Sequence, residues 1–302
     1  MPVVSVALHH NIVATSTAFE DQLAVATTPE RFEQHLNYFE KSFDLIDLET
    51  LINGPLPRKP LLLTFDDCYK SVMDVARDTL APRGISSVLF TNPDHLGPTD
   101  PSLDNVMSWY AAKHGLQALH EQLDVTGYDS VGQILATELS QKTATERHHI
   151  REKLKKAGGM TQSDLDNRSP ILTHDDLRAL SSCGVEVANH TASHVHCRSL
   201  TADERQVEFT HSKQRLEDIT GKKVRAFSVP YGNEADLTPE VLHDLRASGH
   251  EAIFLVHARS NRFQPAPDIW YRTSLHNEEI SQLPRKFNIT PILRSIRHMV
   301  RR

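Results

Sequence analysis

The chain has 302 residues, and its 39% hydrophobic and 24% charged residues exclude a disordered protein and are typical of one or two globular domains. A net charge of −6 argues against surfaces that bind nucleic acid or anionic membranes, and no apolar run approaches the roughly 18 residues of a membrane-spanning helix. Three cysteines do not make a disulfide framework, and their odd number is typical of a reducing compartment, so we expect a cytoplasmic protein.

Short runs rich in β-branched residues recur along the chain and predict strands. We interpret the run at 3–8 as the first strand rather than as a signal peptide, because no basic segment accompanies it. The predicted strands cover residues 3–8, 61–65, 85–90, 185–189, 224–229 and 252–256.

Segments with helical periodicity lie between these strands. Thr27 and Glu30 form the pattern of a capping box, and Phe32, Leu36 and Phe39 then share one helix face. Comparable start and stop signals delimit predicted helices at 173–184, 201–221 and 238–249. Strands that alternate with helices predict an α/β fold with a parallel sheet, and a strand count near seven favours a barrel over an open sheet.

Residues from about 95 to 170 do not follow this alternation. They are polar and prone to form helices, and they separate the strand at 85–90 from the helix at 173–184. We interpret the chain as a single barrel domain over residues 1–302, with an α-helical insertion at about 95–170. The insertion could cap the mouth of the barrel or lengthen a surface loop, and the sequence leaves both open.

Polar residues follow several predicted strands at the point where each strand ends. They are His9 and His10, Asp66 and Asp67, His190 and His194, and Pro230, Tyr231 and Gly232. In a parallel barrel the loops after the carboxyl ends of the strands converge on one face, so we expect these residues to share one site.

The segment NHTASH places His190 and His194 four residues apart, so one tight loop can direct both imidazoles at one ion. Two surface histidines are the alternative, but the carboxylate pair Asp66 and Asp67 favours a metal. One carboxylate can bind a divalent ion while the other stays ionised nearby as a base. Two histidines and one aspartate also leave positions for water and substrate, as in catalytic sites.

The segments TFDD, HTASH and PYG, at 64–67, 190–194 and 230–232, are similar in order and spacing to motifs of the polysaccharide deacetylase family. These NodB-homology enzymes, carbohydrate esterases of family 4, are metal-dependent N- or O-deacetylases of sugars with a distorted (β/α) barrel. The resemblance covers residues 1–95 and 170–275 and does not extend to the insertion.

The resemblance implies a role for each motif residue. It makes Asp66 the catalytic base, and Asp67, His190 and His194 the ligands of a divalent ion, most commonly Zn²⁺. It puts the backbone N–H of Tyr231 where the oxyanion of a tetrahedral intermediate develops.

A general acid must protonate the leaving amine. Many members of the family supply it from a late LxHD-type motif, which this chain does not have. A branch that resembles poly-N-acetylglucosamine deacetylases supplies a histidine from the first strand, and the segment LHHNI aligns His10 with it. We expect His10 to be the acid, with His276 and then His257 as alternatives, although a structural role is the better interpretation of His257.

The chain departs from the family pattern at two positions. Cys68 stands where relatives carry glycine, and it would be strained if that position needs a positive φ angle. We do not expect a nucleophilic thiolate there, because the neighbouring carboxylates raise its pKa. Ser228 replaces an arginine that tunes the base in many members; Arg272 could supply that guanidinium from another strand or form an ordinary ion pair.

Further residues are candidates for contacts with the substrate. Aromatic faces suit the apolar side of a pyranose, although lone aromatic residues usually belong to a core. The candidates are Asn92, Trp109, Pro230, Gly232 and Arg272.

These features together predict a metal-dependent hydrolase that removes an acetyl group, more readily N-acetyl than O-acetyl, from a sugar or polysaccharide precursor by attack of metal-bound water. We expect an N-acetylated sugar or glycan as the substrate, and no nucleic-acid partner. Two alternatives stay open: the same site acting on a non-sugar amide, imide or ureide, and a degenerate barrel that binds glycan without turnover.

Overall fold

The structure is a computed structural model that describes residues 2–97, 100–257, 259–263 and 266–289. The remainder of the predicted domain and two residues of the predicted insertion, 98–99, lie outside the described residues. No helix among those described is long and apolar enough to cross a membrane.

The described residues form ten short strands. Their bounds are β1 (Ser5–His9), β2 (Asn11–Ile12), β3 (Ala26–Thr27), β4 (Asp44–Ile46), β5 (Pro60–Asp66), β6 (Ser87–Thr91), β7 (Val185–Asn189), β8 (Ala226–Ser228), β9 (Ala252–Val256) and β10 (Ile269–Ser274). The six strands predicted from the sequence are all present, whereas β2, β3, β4 and β10 were not predicted.

Seven of these strands close into a parallel barrel, which confirms the predicted fold. The closure falls on β1, which pairs with β5 on one side and with β10 on the other, so that Ala7 faces both Leu63 and Thr273. Strand β4 extends the sheet beyond β5, and β2 pairs with β3 apart from the barrel.

Twelve α-helices lie within the described residues. Their bounds are α1 (Pro29–Ser42), α2 (Leu48–Asn53), α3 (Ser71–Val75), α4 (Leu103–His114), α5 (Leu116–Leu123), α6 (Val131–Thr137), α7 (Ala144–Ala157), α8 (Gln162–Asp166), α9 (His174–Leu180), α10 (Ala202–Arg205), α11 (Ser212–Thr220) and α12 (Pro239–Ala247). A π-helical turn over Gln206–His211 joins α10 to α11.

The predicted start of α1 was wrong by one residue. Thr28, not Thr27, is the N-cap, and its side chain accepts a hydrogen bond from the backbone N–H of Arg31. The side chain of Thr27 instead lies 3.3 Å from Nδ1 of His9. The predicted capping boxes at the starts of α9 and α10 are both present.

Side chains alternate along β5 between the helices and the barrel interior. Leu61, Leu63 and Phe65 pack in the same cluster as the helix α1, whereas Leu62 packs with strand residues such as Val88. The period of two therefore directs Thr64 and Asp66 to the interior as well. This alternation places the Asp66 carboxylate inside the barrel, at the carboxyl end of β5.

The insertion contains α4 to α8 and has a hydrophobic cluster of its own. Val106, Trp109, Leu119 and Ile134 are buried in it, together with Phe19 from the segment between β2 and β3. This cluster joins the insertion to that segment, so the insertion is a packed unit with a core separate from that of the barrel.

Candidate active site

A cavity of about 300 Å³ lies at the end of the barrel where the strands have their carboxyl termini. Of the polar residues that follow the predicted strands, the structure brings there His10, Asp66, Asp67, His190, His194 and Tyr231. His9, Pro230 and Gly232 do not line the cavity, and His9 is buried beside Thr27. The insertion contributes Ser102, Asp104, Asn105, Gly132 and Leu135 to the lining. The insertion therefore caps the mouth of the barrel.

Asp66 is buried and paired with Arg272 from β10. The two guanidinium Nη atoms each donate to a different carboxylate oxygen of Asp66, both at 2.6 Å. Nη2 also donates to Ser228 Oγ at 2.5 Å. Burial would raise the pKa of Asp66, but Arg272, and then His190, outweigh it and hold the pKa at about 2. Arg272 thus supplies the guanidinium that Ser228 cannot.

Asp67, His190 and His194 form a group that could hold a metal ion. One donor atom from each lies within 4.8 Å of the other two. Nδ1 of His190 donates to the Ser228 carbonyl at 2.8 Å, and Nδ1 of His194 donates to Asp104 Oδ2 at 2.9 Å. Because these acceptors hold the proton on Nδ1, the Nε2 lone pairs are available as ligands.

One carboxylate and two imidazole nitrogens are a donor set that suits Zn²⁺ and leaves an open position. Burial raises the pKa of Asp67 to about 6, although His194 lowers it. A cation beside Asp67 would favour its ionised form. The residues present therefore fit a divalent cation.

The family model for polysaccharide deacetylases matches residues 53–250, well over half of the chain. The chain belongs to the polysaccharide deacetylase family. The match confirms the resemblance indicated by the three sequence motifs. No curated protein matches this deacetylase.

Solved structures of deacetylases share its fold. PplD from Streptococcus pyogenes, in complex with acetate, superposes with a TM-score of 0.62 at 14% identity, over 95% of this chain and 100% of that one. IcaB from Ammonifex degensii gives 0.59 at 18% identity, over 94% and 95%. A de-N-acetylase from Aggregatibacter actinomycetemcomitans gives 0.58 at 16% identity, over 94% and 100%. At these identities the likeness concerns the fold.

Several backbone positions of the deacetylase site have positive φ angles, which non-glycine residues seldom adopt. They are Asp67 at 71°, Thr191 at 63°, His194 at 56° and Tyr231 at 60°. Strain of this kind collects where side chains must be directed at a ligand. The left-handed position of TFDDC is Asp67 and not Cys68, so the cysteine that replaces glycine is not strained by a positive φ.

Cys68 is buried, and its Sγ donates to the Asn92 carbonyl at 3.3 Å. Burial raises the pKa of the Cys68 thiol well above its ordinary value. The thiol therefore stays protonated and has the properties of a small packed side chain, as expected for a residue that is not a nucleophile.

The three candidate acids of the deacetylase have different surroundings. His10 and His276 both line the cavity, with ring centroids 6.4 Å apart, whereas His257 does not line it. Burial lowers the pKa of His10 to about 4, against the raising effect of Asp66. Burial also lowers the pKa of His276, whose charged neighbours include Glu278 instead. Of the two histidines that line the cavity, His10 is therefore the one whose pKa is raised by the Asp66 carboxylate.

Gly232 of the PYG motif is buried at a place where no side chain fits. A Cβ atom there would lie 2.2 Å from the backbone N of Val256, and φ is +66°. Pro230, beside it, is buried as well. The motif therefore brings the loop after β8 into close contact with β9.

Two predicted sugar contacts of the deacetylase lie behind the site. The Asn92 amide donates to the His190 carbonyl and, at 3.3 Å, to the Thr191 carbonyl. Trp109 of the insertion is 2% exposed and packs against Phe19 from the segment between β2 and β3. Neither residue lines the cavity, and nor do the other candidates Pro230, Gly232 and Arg272, so their placement does not support the sugar contacts, which stay predictions.

Three buried charged residues at the site were not identified from the sequence. They are Asp104 on α4, Arg147 on α7, and Glu208 in the π-helical turn. Glu208 accepts from the backbone N–H groups of Ala192 and Ser193 at 2.7 and 3.0 Å, inside the loop that carries both histidines. A charged residue in a helix usually faces solvent, so the sequence contains no signal that separates these three from the exposed charges.

Proposed function

We propose that this polysaccharide deacetylase is a metal-dependent hydrolase that removes N-acetyl groups from a sugar. The observation that carries the proposal is the grouping of Asp67, His190 and His194 beside the paired Asp66 and Arg272 in one cavity. A cavity of about 300 Å³ is at the small end of ligand sites, and it accommodates one sugar residue.

Asp67, His190 and His194 would hold the cation. When bound, a divalent cation supplies Lewis acidity, which acidifies water and polarises an acyl carbonyl. The hydrogen bonds at Nδ1 of both histidines orient the rings toward it.

Asp66 is the base in this proposal. It accepts a proton from the attacking water, and its bidentate contact with Arg272 keeps the carboxylate ionised and oriented before the reaction. The Tyr231 N–H donates to the oxyanion that develops on the acetyl carbonyl.

His10 is the proposed donor of a proton to the leaving amine, since it lines the cavity and interacts electrostatically with Asp66. Its pKa of about 4 leaves the ring neutral before the reaction, so the proton that it donates is the one that Asp66 removes from the attacking water. An amine is a much poorer leaving group than an alcohol, so a histidine in this position favours N-acetyl over O-acetyl substrates. The cytoplasmic location expected from the cysteines remains a prediction, and in that location a nucleotide-linked or lipid-linked sugar precursor is the substrate that we propose.

The test is acetate release by the Zn²⁺-loaded protein. N-acetylglucosamine oligomers should be deacetylated faster than O-acetylated xylan, and a chelator should abolish the reaction. Asp66→Asn should abolish it too, whereas the matched exposed variant Asp129→Asn should not. No acetate from either substrate, with turnover of a cyclic ureide, would overturn the proposal in favour of the non-sugar alternative.

A further inference from the structure

We propose that Asp104 of the insertion is a positioning residue for the metal centre, which makes the insertion part of the catalytic apparatus. The inference rests on the proposed function, because it concerns His194 as a metal ligand. Asp104 is 6% exposed, and it lies in the first turn of α4.

The Asp104 carboxylate accepts hydrogen bonds from three side chains. Nδ1 of His194 donates to Oδ2 at 2.9 Å, and Nη2 of Arg147 donates to Oδ1 at 2.9 Å. The Tyr231 hydroxyl lies 2.9 and 2.8 Å from the two oxygens. One carboxylate thus joins the histidine of HTASH to the tyrosine of PYG.

Arg147 holds the same arrangement from the other side. It is 3% exposed, and its Nη2 also donates to the His194 carbonyl at 3.2 Å and to the Tyr231 hydroxyl at 2.6 Å. A guanidinium so buried needs a charged partner, and Asp104 is that partner. Two insertion residues therefore fix both the ring and the backbone of His194.

A second histidine–aspartate pair, His196 and Asp236, also contacts Tyr231 and allows a comparison with His194 and Asp104. Nδ1 of His196 lies 3.0 Å from Asp236 Oδ2, and the His196 ring stacks on Tyr231 with centroids 3.9 Å apart. Nε2 of His196, however, donates to the Leu135 carbonyl at 3.1 Å.

The two pairs differ in the surroundings of Nε2, the histidine nitrogen that does not contact the carboxylate. Nε2 of His196 is occupied by a backbone carbonyl, whereas Nε2 of His194 faces the cavity, 3.7 Å from Asp67 Oδ1. Asp236 therefore stabilises the fold, and Asp104 orients a ligand. Carboxylates that orient metal-binding histidines typically contribute 10–100-fold to metal affinity.

The experiment measures the Zn²⁺ affinity of the full chain by chelator competition. Asp104→Asn should weaken Zn²⁺ binding about 10–100-fold. The matched variant Asp236→Asn removes the same charge from a histidine–aspartate pair that is buried even more deeply, and it should leave the affinity unchanged. The visible spectrum of the Co²⁺-loaded protein should change in Asp104→Asn alone, since it reports ligand geometry.

Equal weakening in the two variants, or no weakening in Asp104→Asn, would overturn the proposal. If Asp104→Asn does not fold, ¹⁵N-histidine NMR of the Zn²⁺-loaded wild type decides: a His194 proton on Nδ1 supports the proposal, and a proton on Nε2 contradicts it. Zn²⁺ affinity needs no substrate, so a failure to release acetate would overturn the proposed function without altering this result.

Discussion

Among the described residues, Arg272 is the largest fully buried side chain, and its charge is held inside the barrel by Asp66. A buried ion pair contributes little net stability, but removing one partner leaves the other charge unpaired. Ser228 accepts from the same guanidinium and contacts Asp66 at 3.5 Å. The orientation of the proposed base thus depends on two residues that do no chemistry themselves.

Arg272→Met should destabilise the protein by about 3–5 kcal/mol, because Asp66 is left buried without its cation. Burial would then raise the pKa of Asp66, and acetate release should fall. Urea unfolding measures the first effect. Asp66→Asn combined with Arg272→Met should recover part of the lost stability, and an unchanged unfolding midpoint in Arg272→Met would contradict this account.

His10 and His276 both line the cavity but should respond differently to substitution. His10→Gln should lower kcat on N-acetylated sugars about 10²–10⁴-fold, because the leaving amine is no longer protonated. It should largely retain activity on 4-nitrophenyl acetate, whose leaving group needs no acid. His276→Gln is the matched control, and a larger loss in His276→Gln on the amide substrate would reverse the assignment.

At the scale of elements, the loop that carries His190 and His194 is attached to the helix behind it through Glu208. The carboxylate accepts from Ala192 N–H, Ser193 N–H and Ser193 Oγ, the last at 2.6 Å. Glu208 lies in the π-helical turn between α10 and α11, a feature often found at functional sites. The turn directs Glu208 inward from a helix that is otherwise amphipathic.

Glu208→Ala should cost about 1–3 kcal/mol, because two buried N–H groups lose their acceptor. The metal loop should loosen as well, so that Zn²⁺ affinity falls. Glu204→Ala, which removes a capping-box acceptor from the exposed start of the same helix, should lower stability but not Zn²⁺ affinity. Chelator competition with both variants distinguishes them, and an equal affinity in the two would refute a role for Glu208 in the loop.

These elements can be predicted from the sequence when the residues that determine them are close together in the chain. The helix over 201–221 was predicted because each of its end signals, Thr201 with Glu204 and then Gly221, spans only a few residues, but the π-helical turn inside it was not. A π-helical turn contains one residue more than an α-helical turn, so it rotates the face that the following residues present, and residue composition does not mark its position. Trp109 was a sugar-contact candidate because a sequence does not reveal that the insertion has its own core.

At the scale of the whole molecule, the protein buries several histidines in their neutral form. Burial lowers the pKa of His250 to about 4, although its Nδ1 lies 3.2 Å from the Leu245 carbonyl. Its neighbours include Lys213, which lowers the pKa further, and Glu217, which raises it. Burial also lowers the pKa of His9 and His35.

Stability should therefore fall on acidification. The unfolded chain takes up a proton at His250 near pH 6.5, whereas the folded chain does so only near pH 4, so stability is full above about pH 6.5 and is lost between these values. At pH 5 the share of His250 is about 2 kcal/mol. Urea unfolding at pH 7.5 and 5 should show a smaller pH effect in His250→Gln than in the exposed control His148→Gln, and equal effects would refute it.

The barrel and the motif residues were predictable because strand alternation and short motifs are local patterns. The network of buried hydrogen bonds around Asp104 was not predictable in this way. Asp104 lies 43, 90 and 127 positions from Arg147, His194 and Tyr231 in the chain, and no spacing rule joins such residues. Arg272 was considered as a partner of the base only because Ser228 stood where an arginine was expected.

The closure of the barrel on β1 has a consequence for how the chain folds as it is made. β1 can pair with β5 as soon as both have been synthesised, but its pairing with β10 must wait for almost the whole described chain. Until β10 arrives, the sheet has an open edge and Asp66 lacks Arg272. We expect pulse-labelled hydrogen exchange during refolding to protect β1–β5 amides before β1–β10 amides, and simultaneous protection would contradict this order. Nascent chains would then be most exposed to strand-mediated aggregation in the interval before the last strand closes the ring.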